Sequence, residues 1–228
     1  MVKVISLGGS IVAPDDVNGE FLKAFRKTVL SFIGDGTHRF VLVTGGGAPA
    51  RRYQKAYRSI AEEPDDAAQD WIGVAATRLN AELLRAVFQP HCADPVVTDP
   101  TADISFTGSV LVASGWKPGF STDFDAVLLA ERFEADTVIN LSNIRKVYSA
   151  DPKQDPSATP IDSASWDEFR KIVGDVWKPG SNLPFDPVAA RKASELRLRV
   201  IVAAGTNVEN LVDILHDRPF EGTTIGPG

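Results

Sequence analysis

Three consecutive glycines, Gly45, Gly46 and Gly47, follow the apolar run Phe40-Val41-Leu42-Val43-Thr44, and an arginine pair, Arg51-Arg52, stands just beyond them. A strand that breaks into a glycine turn and then opens a helix leaves several backbone N–H groups converging on one spot. Glycine lets that backbone approach a ligand with no Cβ in the way. Arg51 adds a planar, permanently charged fork suited to phosphate. The chemistry is anion binding, with phosphate the natural ligand. Gly-Gly-Gly alone is looser than the dinucleotide or P-loop fingerprints. A second turn supplies the missing specificity, because the run Val2-Lys3-Val4-Ile5-Ser6-Leu7 ends in Gly8-Gly9-Ser10. The Ser10 hydroxyl is available either to a phosphate or as a cap for the segment that follows. Two such turns predict two phosphate cradles on one sheet edge, at the carboxyl ends of the strands, where open α/β sheets bind ligands.

The elements that must carry these turns alternate along the chain. Helical spacing of Phe21, Leu22, Phe25, Val29, Leu30 and Ile33 predicts a helix over 19–33, and β-branched residues predict a strand over 39–44. The acidic stretch 62–70 is expected as a solvated loop leading into a helix N-terminus at Asp70, where carboxylates are favoured. A long helix over 70–88 is expected to bury Trp71, Ile72, Ala75, Leu79 and Leu83. Short strands are expected over 94–98 and 109–113, a helix over 123–133 and a buried strand over 136–141. Later helices are expected over 165–173, 186–194 and 207–216, with strands over 198–203 and 223–225. Strands alternating with helices imply one α/β unit spanning 1–228, with a mainly parallel sheet and helices on both faces.

Bulk properties narrow the function. The chain has 228 residues, 43% hydrophobic, enough for a substantial core. Lysine and arginine number 24 against 30 aspartates and glutamates, a net charge of −6, which argues against general nucleic-acid or anionic-membrane binding. The single Cys92 excludes an internal disulfide and fits a reducing compartment. No apolar run approaches the roughly 20 residues of a membrane span, and the N-terminus carries no signal-peptide pattern, so a cytoplasmic location is expected. The histidines, His38, His91 and His216, lie far apart in the chain and show no zinc spacing.

Taken in order, the motifs resemble one superfamily. Gly8-Gly9-Ser10 followed by Gly45-Gly46-Gly47-x-x-Ala50-Arg51-x-Tyr53 is similar to the amino acid kinases. Downstream, Asp70-x-Ile72-Gly73-x3-Thr77-Arg78-x-Asn80-Ala81 resembles the long helix of the archaeal-type uridylate kinases. Pro118-Gly119-Phe120-Ser121-Thr122-Asp123 resembles their PG-x-[ST]-T-D loop. Ser142-Asn143-x3-Val147-Tyr148-Ser149-Ala150-Asp151-Pro152 resembles their TN-x-DGVYTADP segment, and Asp186-Pro187-Val188-Ala189-Ala190 their late DP-x-AA helix start. Each motif is weak alone; in this order they span essentially the whole chain.

The resemblance implies a three-layer αβα sandwich and transfer of the ATP γ-phosphoryl to UMP, with Mg2+ as cofactor and a hexameric assembly. It also implies roles for single residues. Gly9 and Ser10 would meet the ATP phosphates, Gly46 the UMP phosphate, and Gly47 and Arg51 the transferred phosphoryl, with Arg51 the catalytic candidate. Asp70 would accept from the UMP ribose. Trp116, Lys117, Pro118, Gly119, Phe120, Ser121 and Thr122 would wrap the UMP phosphate and base. Ser142, Tyr148 and Asp151 would line the adenosine pocket. Ser6 occupies a position where many superfamily members carry lysine, which the archaeal-type uridylate kinases also lack; the departure that stands out is Arg145-Lys146 in place of Asp-Gly. Two cations there keep open a non-catalytic ATP- and oxyanion-binding relative of the molybdenum storage proteins. A kinase for another small phosphate is a further alternative.

Overall fold

The computed structural model describes residues 1–34, 36–174 and 183–226. The chain opens with β1 (Val2–Leu7), α1 (Gly9–Val12), α2 (Gly19–Ile33), β2 (Arg39–Thr44), α3 (Gly47–Ile60), α4 (Asp66–Val87) and β3 (Val110–Ala113). It continues through α5 (Thr122–Arg132), β4 (Thr137–Ser142), β5 (Val147–Tyr148), β6 (Pro160–Ile161), β7 (Ser163–Ala164), α6 (Trp166–Val173), α7 (Pro187–Glu195), β8 (Arg199–Ala204), α8 (Val208–Leu215) and β9 (Thr223–Ile225). Among the described residues, one sheet runs β3-β2-β1-β4-β8-β9-β7, and β5 pairs with β6 in a small ribbon. The strands from β3 to β8 are mutually parallel; β9 pairs antiparallel to β8. Strand β1 lies between β2 and β4, so chain order reverses there, and the crevice at its carboxyl end is where such a sheet takes ligands.

Period-two alternation explains the layers. Ile5, Leu7, Phe40, Leu42, Ile139 and Leu141 face α1, α2, α4 and α8, where Phe25, Phe88, Leu84 and Leu211 close one core. Val4, Val41, Val43, Leu111, Val138 and Val200 face α5, α6 and α7, against Ala126, Leu129, Phe169 and Ala190. Helix starts follow from side-chain caps. Asn18, Asp65, Ser121, Asp186 and Asn207 each accept a backbone N–H of the first turn of α2, α4, α5, α7 and α8, and Ser165 with Glu168 forms a capping box on α6. No helix among the described residues is long and apolar enough to cross a membrane.

Three expectations are corrected. The 94–98 segment is not a strand; Val97 makes only an isolated bridge to Ala113. Asp94 instead turns the chain, its carboxylate accepting from the Thr107 N–H (2.7 Å), the Thr107 hydroxyl (2.9 Å) and the Gly108 N–H (3.3 Å), and Pro95 has no N–H to give a ladder. Helix α4 begins at Asp66 rather than Asp70, because Asp65 caps it through the Ala68 N–H at 2.7 Å. Finally, the stripe expected to be buried on α4 is largely outward: Trp71 is 48% and Leu79 68% exposed, and Ala75 is exposed as well. The inward face is Val74, Thr77, Asn80, Ala81 and Leu84. That face carries the groups that bond to the turns of the sheet edge, and this outweighs the larger apolar area of the opposite stripe.

Candidate functional site

The two glycine turns are pressed together at the carboxyl ends of β1 and β2. A Cβ on Gly9 would lie 2.0 Å from the Gly47 nitrogen and 2.7 Å from the Gly46 nitrogen. Gly47 has φ +65°, and its Cβ would meet the Gly9 oxygen at 2.4 Å and the Ala13 oxygen at 2.6 Å. Glycine is therefore dictated at both positions by close backbone approach, and at Gly47 by its left-handed conformation as well. Ser10 does not cap α1, whose N-cap, Gly8, makes no side-chain cap bond. Asn80 holds the second turn from below, its Nδ2 donating to the Gly45 carbonyl at 2.8 Å and the Gly46 carbonyl at 3.3 Å.

Beside the second turn lies an open cleft of about 230 Å³ lined by Gly45 and Gly46, by Ala50 and Gln54 of α3, by Asp70, Gly73, Val74 and Thr77 of α4, and by Gly115, Lys117, Phe120, Ser121 and Thr122. The 115–121 segment is stapled across it. The Gly115 N–H donates to Thr77 Oγ1 (2.8 Å), the Trp116 N–H to Asp125 Oδ2 (3.1 Å) and the Gly119 N–H to Asp70 Oδ2 (3.0 Å). Ser121 then caps α5 by accepting the Phe124 N–H. Trp116, Phe120 and Phe124 form a run with ring centroids 5.0 Å apart, and the Lys117 ammonium lies 3.7 Å from the centre of the Trp116 ring. That cation–π contact positions a positive charge on the cleft wall.

Behind the turns, alternation places Ser6 of β1 and Asn140 of β4 side by side on the α5 face. Both donate to Asp123 Oδ1, Ser6 at 3.1 Å and Asn140 at 2.9 Å, and the Asp186 N–H reaches Oδ2 at 3.3 Å. Desolvation first, and the neighbouring Asp186 charge second, push the Asp123 carboxyl up to about 7. Burial also pushes Asp125 up to about 7, and it raises Asp186. Asp123, Asn80, Thr77 and Asp125 were not expected as site residues. Asp123, Thr77 and Asn80 stood inside motifs already noted; Asp125 carried no signal in the sequence.

Of the predicted site residues, Gly46, Asp70, Lys117, Phe120, Ser121 and Thr122 come together around the cleft. Trp116 and Gly119 brace its wall, and Pro118 lies between Lys117 and Gly119 in the same segment. Gly9 and Gly47 form the joined turns, with Ser10 opening α1. Arg51 is exposed, and its Nη2 donates to the Pro14 carbonyl at 3.1 Å rather than lining the cleft. Ser142 ends β4, Tyr148 lies in β5 and Asp151 caps the turn beyond, accepting from the Lys153 N–H (3.0 Å) and Gln154 Nε2 (3.2 Å). These three lie apart from the cleft. Arg145 pairs with Glu221 at 3.5 Å and Lys146 with Asp162. Among the described residues no group of three or more His, Cys, Asp or Glu side chains is arranged to hold a metal ion.

Known proteins are similar to this chain in sequence and fold. The model of the amino acid kinase family matches residues 1–204. The uridylate kinase of Natronomonas pharaonis is 35% identical over 227 residues, covering 98% of each chain. That of Archaeoglobus fulgidus is 38% identical over 229 residues, covering 99% of this chain and 98% of its own. The crystal structure of the uridylate kinase from Archaeoglobus fulgidus resembles this fold with a TM-score of 0.83 at 36% identity, over 98% of this chain and 100% of that one. Matched along most of its length by the family model and along nearly all of it by such relatives, the chain belongs to the amino acid kinase family.

Proposed function

We propose that this chain is an ATP-dependent nucleoside monophosphate kinase that transfers the γ-phosphoryl of ATP to UMP, giving UDP. The observation that carries this is full-length similarity to proteins named uridylate kinase, in a chain with an open cleft beside its second glycine turn. Gly46 presents its backbone to the UMP phosphate, Asp70 accepts from the ribose hydroxyls, and the segment from Trp116 to Thr122 encloses phosphate and base. Gly9 and Ser10 take the ATP phosphates, and Ser142, Tyr148 and Asp151 the adenosine. Gly47 and Arg51 serve the transferred phosphoryl. A UMP phosphate oxygen is already anionic near neutral pH, so alignment and charge neutralisation do most of the work and no general base is needed. Magnesium supplies part of that neutralisation when bound. With no carboxylate cage among the described residues, the nucleotide phosphates are its main ligands.

The paired states of Arg145 and Lys146 favour the kinase over an oxyanion-storing relative, since both cations already have carboxylate partners. A homo-oligomer, with six copies suggested by resemblance, and a cytoplasmic location complete the proposal. Exposed Tyr53, Ile60, Trp71 and Leu79 on α3 and α4 support self-association. A monomer by light scattering at micromolar concentration would remove that part. The activity itself is tested by coupled ADP release with UMP, CMP and dTMP as separate acceptors, alongside molybdate binding. UMP-selective release is expected; molybdate binding without any release would favour the storage protein.

A further inference from the structure

Among the described residues, Asp125 is the one buried carboxyl near the cleft with an unpaired oxygen. It is the fourth residue of α5 and 1% exposed. Its Oδ1 has no hydrogen-bond partner, while Oδ2 accepts the Trp116 N–H at 3.1 Å. An acid placed between apolar Ala126, Val127 and Leu129 of the helix and the sheet is costly, and leucine or valine would fill the same space without desolvating a carboxyl. What the carboxyl adds is a hold on Trp116. That residue begins the cleft wall: its ring packs against Phe120 at a 40° tilt, and its face carries the Lys117 ammonium. The Gly115 N–H bond to Thr77 anchors the residue before it, the Asp99 carboxylate takes a hydrogen bond from the Trp116 side chain, and the Gly119 and Ser121 bonds fix the far end, so Asp125 is what holds the Trp116 main chain itself.

We propose that Asp125 is a positioning residue for the acceptor: it holds the Trp116 N–H and so orders the 116–120 segment that brings Lys117 and Phe120 to the cleft. The acceptor part of this rests on the UMP reading. Asp99, Asp123 and Asp186 face the Asp125 carboxyl electrostatically, and all three oppose its ionisation. Burial and these neighbours keep a proton on it up to about neutral pH. The unpaired Oδ1 is the natural seat of that proton, leaving Oδ2 as a carbonyl-like acceptor. Asparagine presents the same acceptor with an NH2 in place of the OH and should therefore substitute for it. Leucine keeps the volume and loses the acceptor.

The test compares native protein, Asp125→Asn and Asp125→Leu by steady-state kinetics and by amide hydrogen exchange at Trp116. With Leu, the KM for UMP should rise about tenfold, as loss of one buried hydrogen bond implies, with kcat and the KM for ATP within about twofold. Exchange at the Trp116 amide should quicken by a similar factor. With Asn, both should stay near native values. Native-like UMP binding and Trp116 exchange in the Leu variant would overturn the proposal, as would an Asn variant that behaves like Leu. Should the Leu variant not fold, the native chain decides, because a Trp116 amide exchanging as fast as a free peptide amide overturns the tether. A native chain that turns over no UMP sinks the kinase reading instead, and the exchange comparison still tests the hold on Trp116.

Discussion

Arg51 is exposed and held only by the Pro14 carbonyl, so its removal has little structure to damage. Arg51→Ala should lower kcat by roughly a hundredfold, as loss of a charge-stabilising donor does, and leave stability within about 0.5 kcal/mol. Wild-type turnover in the mutant would take Arg51 out of the chemistry. Asp70 permits a finer cut. Its Oδ2 already accepts the Gly119 N–H, and asparagine can keep that bond while losing the charge. Asp70→Asn should raise the KM for UMP at least tenfold, in line with a hydrogen bond to a charged group, and leave that for ATP nearly unchanged. Since α4 begins at Asp66, Asp70 lies a turn inside the helix, and an end-charge role predicts only a lower melting temperature. A rise in the ATP requirement instead would end the ribose assignment.

At the scale of elements, the glycine turns carry the sharpest expectation. A methyl on Gly9 would collide with the Gly47 backbone, and backbone yields less than a side-chain tip. Gly9→Ala should cost about 3 kcal/mol in chemical denaturation and abolish nucleotide binding; a stable, active variant would refute the enforced contact. Those turns were legible because a β-branched run ending in glycine has few other uses. Strands β1, β2, β4 and β8 and helix α2 were legible for the same reason of unbroken periodicity. The errors have a common origin. At 94–98, Asp94 bonds to Thr107 and Gly108 across the chain, and no local pattern announces such a partner. On α4, Trp71 and Leu79 outrank Thr77 and Asn80 in any hydrophobic count, yet the latter bond to Gly115 and Gly45 and so set the helix's rotation. Asp125 was invisible because its carboxyl, among the described residues, meets the backbone of Trp116 rather than a side chain.

The whole molecule buries carboxyls beside the carboxyl ends of β1 and β4, and this sets its response to pH. Asp123 and Asp125 have folded pKa values near 7 against an ordinary 3.8. Between those values the native state binds more protons than the unfolded chain, so stability is full below about pH 4 for these groups and falls as pH rises through 7. Unfolding free energy measured in urea should decline from pH 5 to 8 by a few kcal/mol, at about 1.4 kcal/mol per unit of pKa difference. Asp125→Asn should flatten part of that slope and be the more stable protein at pH 8. A native profile that rises over this range would contradict the buried placement of both acids.

The joined glycine turns have one more consequence. Between Gly9 and Gly47 there is only main chain, with no side chain whose rotamer can take up slack. A shift of either turn toward the other meets main chain directly. On the proposed reading, in which each turn receives one nucleotide, the two strand ends are in effect one machined joint, and the spacing of donor and acceptor phosphates is set by polypeptide backbone alone.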